Sequence, residues 1–187
     1  MTPTELLAPT YIQMLDALSQ WLDKASAQLG VTQAEALLSA RLAPDMFPLA
    51  TQLRFACVQA IEGMHRLRDE PFPPVIDDLL DEGRNAGEAP GSLGDAEARL
   101  QQTIAMVRSL AEGAEQTDAD RMIAHALPTG MIFDLTVDQY ARDWALAQFY
   151  FHLMAAYAIL RSKGVDLGKA DYVAHMFGYL RPGTMPA

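Results

Sequence analysis

The 187-residue chain reads as an all-α protein, a bundle of four long helices with one small β-hairpin before the last of them. Three observations predict this. Apolar residues recur at alternating steps of four and three over four long stretches, the spacing of a stripe along one helix face. The stretches open on capping sequences or stop at glycines. Each stripe also needs another to cover it, which a bundle supplies.

The first stripe, between residues 5 and 29, is Leu7, Tyr11, Met14, Leu18, Leu22, Ala25 and Leu29, closed by Gly30. Thr32, with Glu35 three residues on, forms a capping box for a short helix. Pro44 and Pro48 then frame residues 45–47, and proline is tolerated only in the first turn of a helix, so the second long helix opens here. It runs to about residue 67 on a stripe of Leu49, Leu53, Ala56, Ala60, Met64 and Leu67, with Gln52, Gln59 and Glu62 off the seam.

Residues 70–94 are rich in Pro, Gly and acid and read as a mobile surface connection, with a helical turn or two in VIDDLL. The third helix covers about 95–112 on Ala96, Leu100, Thr103, Val107 and Leu110, with Gly113 as its stop. In RMIAHALPTGMIFDL two apolar runs flank Pro128, Thr129 and Gly130, which predicts the hairpin. Thr136 and Gln139 form a capping box that opens the longest helix, to about residue 162. Its stripe follows the same rhythm through Tyr140, Trp144, Ala147, Phe151, Met154 and Ala158, and extra apolar residues on other faces predict that it is the most buried helix. Gly164 ends it, and residues 173–187 form a tail folded back over the bundle, the whole of 1–187 being one domain.

A formal net charge of -10, with 14 scattered basic residues, argues against nucleic acid and anionic membranes as partners. One cysteine, Cys57, excludes an intramolecular disulfide and suits a reducing compartment. No stretch approaches the roughly 18 to 20 apolar residues of a membrane span, and MTPTELLAPTYIQ is not a secretory signal, so the cytoplasm is the expected location.

Phosphate-loop, nucleophile-elbow, CxxC and HExxH motifs are absent. No two of His65, His125, His152 and His175 fall three or four apart, so no single helix offers a metal two imidazoles. His152 alone sits deep in a strongly apolar helix, with Gln148 four residues before it on the same face. Such a histidine is most often a core residue with ordinary hydrogen bonds, the alternatives being ligand binding, proton transfer or metal ligation. Arg41 and Asp45 in RLAPDMFPL form a charge pair or point into a pocket at the bundle mouth; the bland alternative for Asp45 is an N-cap, and for Arg41 a surface ion pair. Cys57, between Ala56 and Val58, reads as a buried, inert thiol. The cluster of Trp144, Phe149, Tyr150, Phe151 and Tyr157 reads as core, and Lys169 and Asp171 as a turn tying the tail to the bundle.

RLAPDMFPL (41–49) and FYFHLMAAYAILRSKGVDLGKADY (149–172) resemble an uncharacterised bacterial family of unknown function placed among the DinB and YfiT-like proteins. The resemblance spans most of the chain and implies a DinB-like four-helix bundle, often a homodimer. Many members of that wider superfamily hold a divalent metal on three histidines facing the bundle interior, and some are thiol-dependent transferases or hydrolases. By helix position the triad falls near Gln52, Gln148 and His152, of which one is histidine. Glutamine is a poor ligand for zinc or nickel beside imidazole. The resemblance therefore implies a metal-free bundle in which His152, Gln148 and Gln52, with Arg41 and Asp45 at the mouth, line a small polar pocket for an unidentified small molecule. The alternative is a metal-assisted enzyme with His152 as one ligand and Asp45 or Asp143 recruited, although Asp143 lies roughly 140° from Gln148 on a step of about 100° per residue.

Overall fold

In the computed structural model, residues 1–112 and 118–184 are described. The first helix, α1 (Pro3–Leu29), begins at a capping box: the Thr2 hydroxyl accepts the Glu5 N–H at 3.1 Å and the Glu5 carboxylate accepts the Thr2 N–H at 2.7 Å. Gly30, at φ 81°, ends α1 and directly precedes α2 (Val31–Ala36). Because Gly30 is itself the N-cap, Thr32 lies inside α2 and the box expected of Thr32 and Glu35 does not form.

The central helix α3 (Leu49–Arg68) starts on extended Pro48 without a side-chain cap. Asp45, expected to cap it, stands exposed in the preceding turn. Backbone replaces it there, since the Leu49 N–H donates to the Ala40 carbonyl at 2.9 Å. The stretch read as a mobile connection contains an eleven-residue helix, α4 (Val75–Asn85), which buries Ile76, Leu79 and Gly83 against α3. Pro74 ahead of its first turn and Asp77 and Asp78 within that turn are helix-start chemistry, complementing the positive end of the helix dipole. Helix α5 (Leu93–Glu112) is capped by Ser92, whose hydroxyl accepts the Asp95 N–H at 3.1 Å. The stop expected at Gly113 lies outside the described residues.

Strands β1 (Met122–Ala126) and β2 (Ile132–Thr136) pair antiparallel, with His125 opposite Phe133, and Gly130 takes the positive φ of 87° that the turn requires. Thr136 and Gln139 make the expected capping box for α6 (Val137–Gln139). The helix then passes through a π turn at Tyr140–Ala145 before resuming as α7 (Leu146–Ser162).

That turn corrects the predicted stripe. A π turn adds a residue, so a face that follows steps of four and three up to Tyr140 advances by five to Ala145. The buried line is Tyr140, Ala145, Phe149, Leu153, Ala156 and Leu160. Ala147, Phe151 and Met154, expected inside, are exposed, Phe151 by 62%. The most enclosed helix is α3, which touches α1, α4, α5 and α7; α1 in turn packs on α5 and α7, closing the bundle.

Residues 185–187 of the tail lie outside the described residues, and its helix at 174–179 buries no residue. The approach to the tail is tied down as expected, by Asp171 and not by Lys169. Its carboxylate meets Lys24 Nζ at 2.9 Å, its carbonyl accepts Trp21 Nε1–H at 3.2 Å, and Tyr172 stacks on Trp21 from α8 (Lys169–Tyr172). Among the described residues no helix is long and apolar enough to cross a membrane.

The shifted register makes a sharp expectation. Phe149→Ala opens a core cavity and should cost about 3–5 kcal/mol. Phe151→Ala, two residues on, should cost about 0.5 kcal/mol or less. Urea unfolding of the two variants measures the difference, and equal losses would place the stripe back on the uninterrupted rhythm.

Candidate functional site

Helix α3 carries Gln52 one turn after its start, where packing against α7 leaves it 3% exposed. A buried amide must satisfy both of its ends. Its Nε2 donates to the Phe47 carbonyl at 3.3 Å, and its Oε1 lies 2.9 Å from Nδ1 of His152 on α7. The carbonyl of Phe47 can only accept, so the amide nitrogen must face it and the amide oxygen must face the imidazole. His152 therefore carries its proton on Nδ1 and presents a lone pair on Nε2.

His152 is half-buried and set edge-on against two phenyl rings, with Phe55 and Phe151 centroids each 5.3 Å away, and Phe47 packs on Phe55 at 5.7 Å. Burial disfavours the imidazolium and brings the His152 pKa down to about 4, so the ring is neutral at physiological pH. Among the described residues its Nε2 has no hydrogen-bond partner. The result is one hydrogen-bond acceptor in an aromatic surround.

Arg41 joins this group through the backbone. Its Nη1 donates to the Met46 carbonyl at 2.6 Å, while Gln52 holds the next carbonyl, that of Phe47. The RLAPDMFPL segment is thus a loop pinned at consecutive carbonyls by a guanidinium and an amide, and it delivers Phe47 to the aromatic cluster. Arg41 does not pair with Asp45, which is exposed and outside the network. Gln148, one turn before His152 on the same helix, is half-buried and makes no side-chain hydrogen bond among the described residues.

The metal that the wider superfamily implies finds a poor donor set here. His152 is the one imidazole among the three mapped positions, its Nδ1 is engaged by Gln52, and amides occupy the other two. Asp143, the recruited ligand of the metal reading, is exposed and held by both arms of the Arg142 guanidinium at 2.8 Å. Among the described residues no three His, Cys, Asp or Glu side chains gather as a metal would require.

Cys57 is fully buried, donates to the Arg99 carbonyl at 3.8 Å, and has its thiol pKa pushed up to about 11 by burial, which makes it an inert packing residue. The residue that the sequence reading passed over is Arg54. It reads as a surface arginine between Leu53 and Phe55, yet it is 3% exposed beneath α4. The missed signal is a second seam on α3, Ala50, Arg54, Val58, Ile61 and His65, every member of which is buried.

A family model described as a domain of unknown function, DUF1993, matches residues 4–173. Among solved structures, the chain is similar to the crystal structure of a DinB family member protein from Shewanella denitrificans. The two are 29% identical with a TM-score of 0.67, over 98% of this chain and 95% of that one. No curated protein matches the chain. With a family match over nearly its whole length and the same helical architecture, the chain belongs to the DUF1993 family, a DinB-like bundle of unknown function.

Proposed function

We propose that this protein is a metal-free small-molecule binder, with His152, Gln52 and Gln148 as the polar contacts of its site. The supporting observation is the directed chain Phe47 carbonyl, Gln52 amide, His152 Nδ1–H, which fixes the imidazole tautomer and leaves Nε2 as an acceptor. Phe55 and Phe151 beside that acceptor favour a ligand with an aromatic or otherwise apolar body and a single N–H or O–H donor. Gln148, with donor and acceptor both uncommitted among the described residues, supplies the second polar contact. Arg41 acts as a positioning residue, through the loop that carries Phe47. Asp45 has no part in the site.

Phenol and toluene, alike in shape, separate the polar contact from the apolar one. Phenol should shift the His152 side-chain nitrogen resonances where toluene does not. Gln52→Leu, which frees the tautomer, should weaken phenol binding by about tenfold, or 1.4 kcal/mol. An unchanged phenol response in His152→Ala would remove the site. Metal analysis of untagged protein prepared without chelator should find far less than one equivalent of any transition metal. A full equivalent that disappears in His152→Ala would instead support the metal-assisted transferase or hydrolase.

The buried imidazole also predicts a pH dependence. Its folded pKa, about 4, lies below the ordinary value of 6.5, so the unfolded chain binds the extra proton first. The stability contribution is complete above about pH 6.5 and is lost as pH falls toward 4. At full titration it is on the order of 3 kcal/mol. His65 and His125, also lowered mainly by burial, act in the same direction. The difference between wild type and His152→Gln across this range isolates the one group, and parallel stability curves would contradict a neutral buried His152.

A further inference from the structure

About 200° around α3 from Gln52, Arg54 faces a cleft of about 420 Å³ between α4, α5 and the loop joining them. Its walls include Glu82, Gly91, Asp95, Ala98 and Arg99.

A guanidinium has five N–H donors, and burying one is costly unless those donors are met. Arg54 is 3% exposed, and among the described residues its one hydrogen bond runs from Nε to Glu82 at 3.4 Å, near the limit for such a bond. Nη1 is buried without a partner. Nη2 also lacks one and lies at the cleft wall beside Gly91, where an added Cβ would come within 3.0 Å of it. Gly91 has a φ of 73°, so both its conformation and the space beside Arg54 call for glycine.

Arg99, by contrast, is well matched, with Nε and Nη2 on Glu82 and Nη1 on Gln102. Burial works against the Glu82 charge, but Arg99 and Arg54 outweigh it and hold the carboxyl below its usual range. Glu82 is thus ionised, yet committed mainly to Arg99. Arg54 is left as a buried cation short of an acceptor.

We infer that this cleft is a binding site for the carboxylate group of a small molecule, received by the Nη edge of Arg54. A planar carboxylate matches a planar guanidinium. Glu82 and Asp95 on the walls oppose a dianion, which excludes phosphate as the preferred group. The site stands independently of the His152 reading, because it shares no residue with it.

The test is titration of the full chain with propionate, alanine and inorganic phosphate, followed by the arginine Nε–H resonances. Propionate or alanine should shift the Arg54 signal saturably, with a Kd of about 1 mM or tighter. Arg54→Lys, which keeps the charge and loses the planar fork, should weaken binding by about tenfold. Ala98→Glu, at an exposed helix position, places a competing carboxylate at the cleft wall and should abolish the shift even if the lysine variant does not fold. No shift of Arg54 with either carboxylate, tighter binding of phosphate, or full binding by Ala98→Glu would each overturn the inference, leaving the Nη groups of Arg54 without a ligand and Glu82 as its one acceptor among the described residues.

Discussion

A helix enclosed on every side must satisfy its polar side chains from its neighbours, and α3 is that helix here. Packed by α1, α4, α5 and α7, it still carries Thr51, Gln52 and Arg54 in buried positions. Each recruits a different part of the chain. Thr51 donates to the Gly83 carbonyl at 2.7 Å and so fixes α4; Gln52 links the 41–49 loop to His152; Arg54 draws on Glu82. Three residues within one turn, with the Phe55 ring, thus determine where α4, the loop and α7 sit. Unsatisfied buried polar groups cost about 1–3 kcal/mol each, so these few bonds weigh heavily against a stability margin of order 10 kcal/mol.

The ends of the helices were legible because caps are local chemistry. Thr136 with Gln139 and Gly30 act where their residue types say they should. Asp45 and Thr32 carry the same chemical promise, but α2 is capped at Gly30 and the first amide of α3, on Leu49, is met by the Ala40 carbonyl, a tertiary fact with no local signature. Helix α4 was hidden by composition, since its Pro, Gly and acidic neighbours outweighed Ile76 and Leu79 one turn apart. The π turn is the deepest case. Apolar residues occur all round the last helix, so the uninterrupted rhythm that places Phe151 on the seam meets no local objection, and one added residue puts Phe149 inside instead.

The same logic separates the two groups of polar side chains. His152 announced itself as a lone imidazole in an apolar helix, and the family resemblance supplied Gln52 as its partner across 100 residues of sequence. Arg54 had no such advocate. A single arginine beside an apolar seam is ordinarily a surface residue, and its burial follows only once α4 is known to cover the second seam of α3. A helical turn or two in VIDDLL is too short to cover that seam, so the same composition that shortens α4 in the sequence leaves Arg54 reading as a surface residue.

An amide at Gln52 can do what an imidazole facing a metal could not. An imidazole facing a metal must spend its lone pair on the ion. The Gln52 amide instead spends its donor on the Phe47 carbonyl and its acceptor on His152, so one side chain couples the position of the 41–49 loop to the tautomer of the imidazole. Arg41 holds the adjacent carbonyl of the same loop, which limits how far Phe47 can move without breaking two hydrogen bonds. A change that displaces Phe47 would release the Gln52 amide, free the His152 proton to either nitrogen, and alter the polarity that the site offers. In this bundle a pinned loop and one amide set the orientation of the His152 ring.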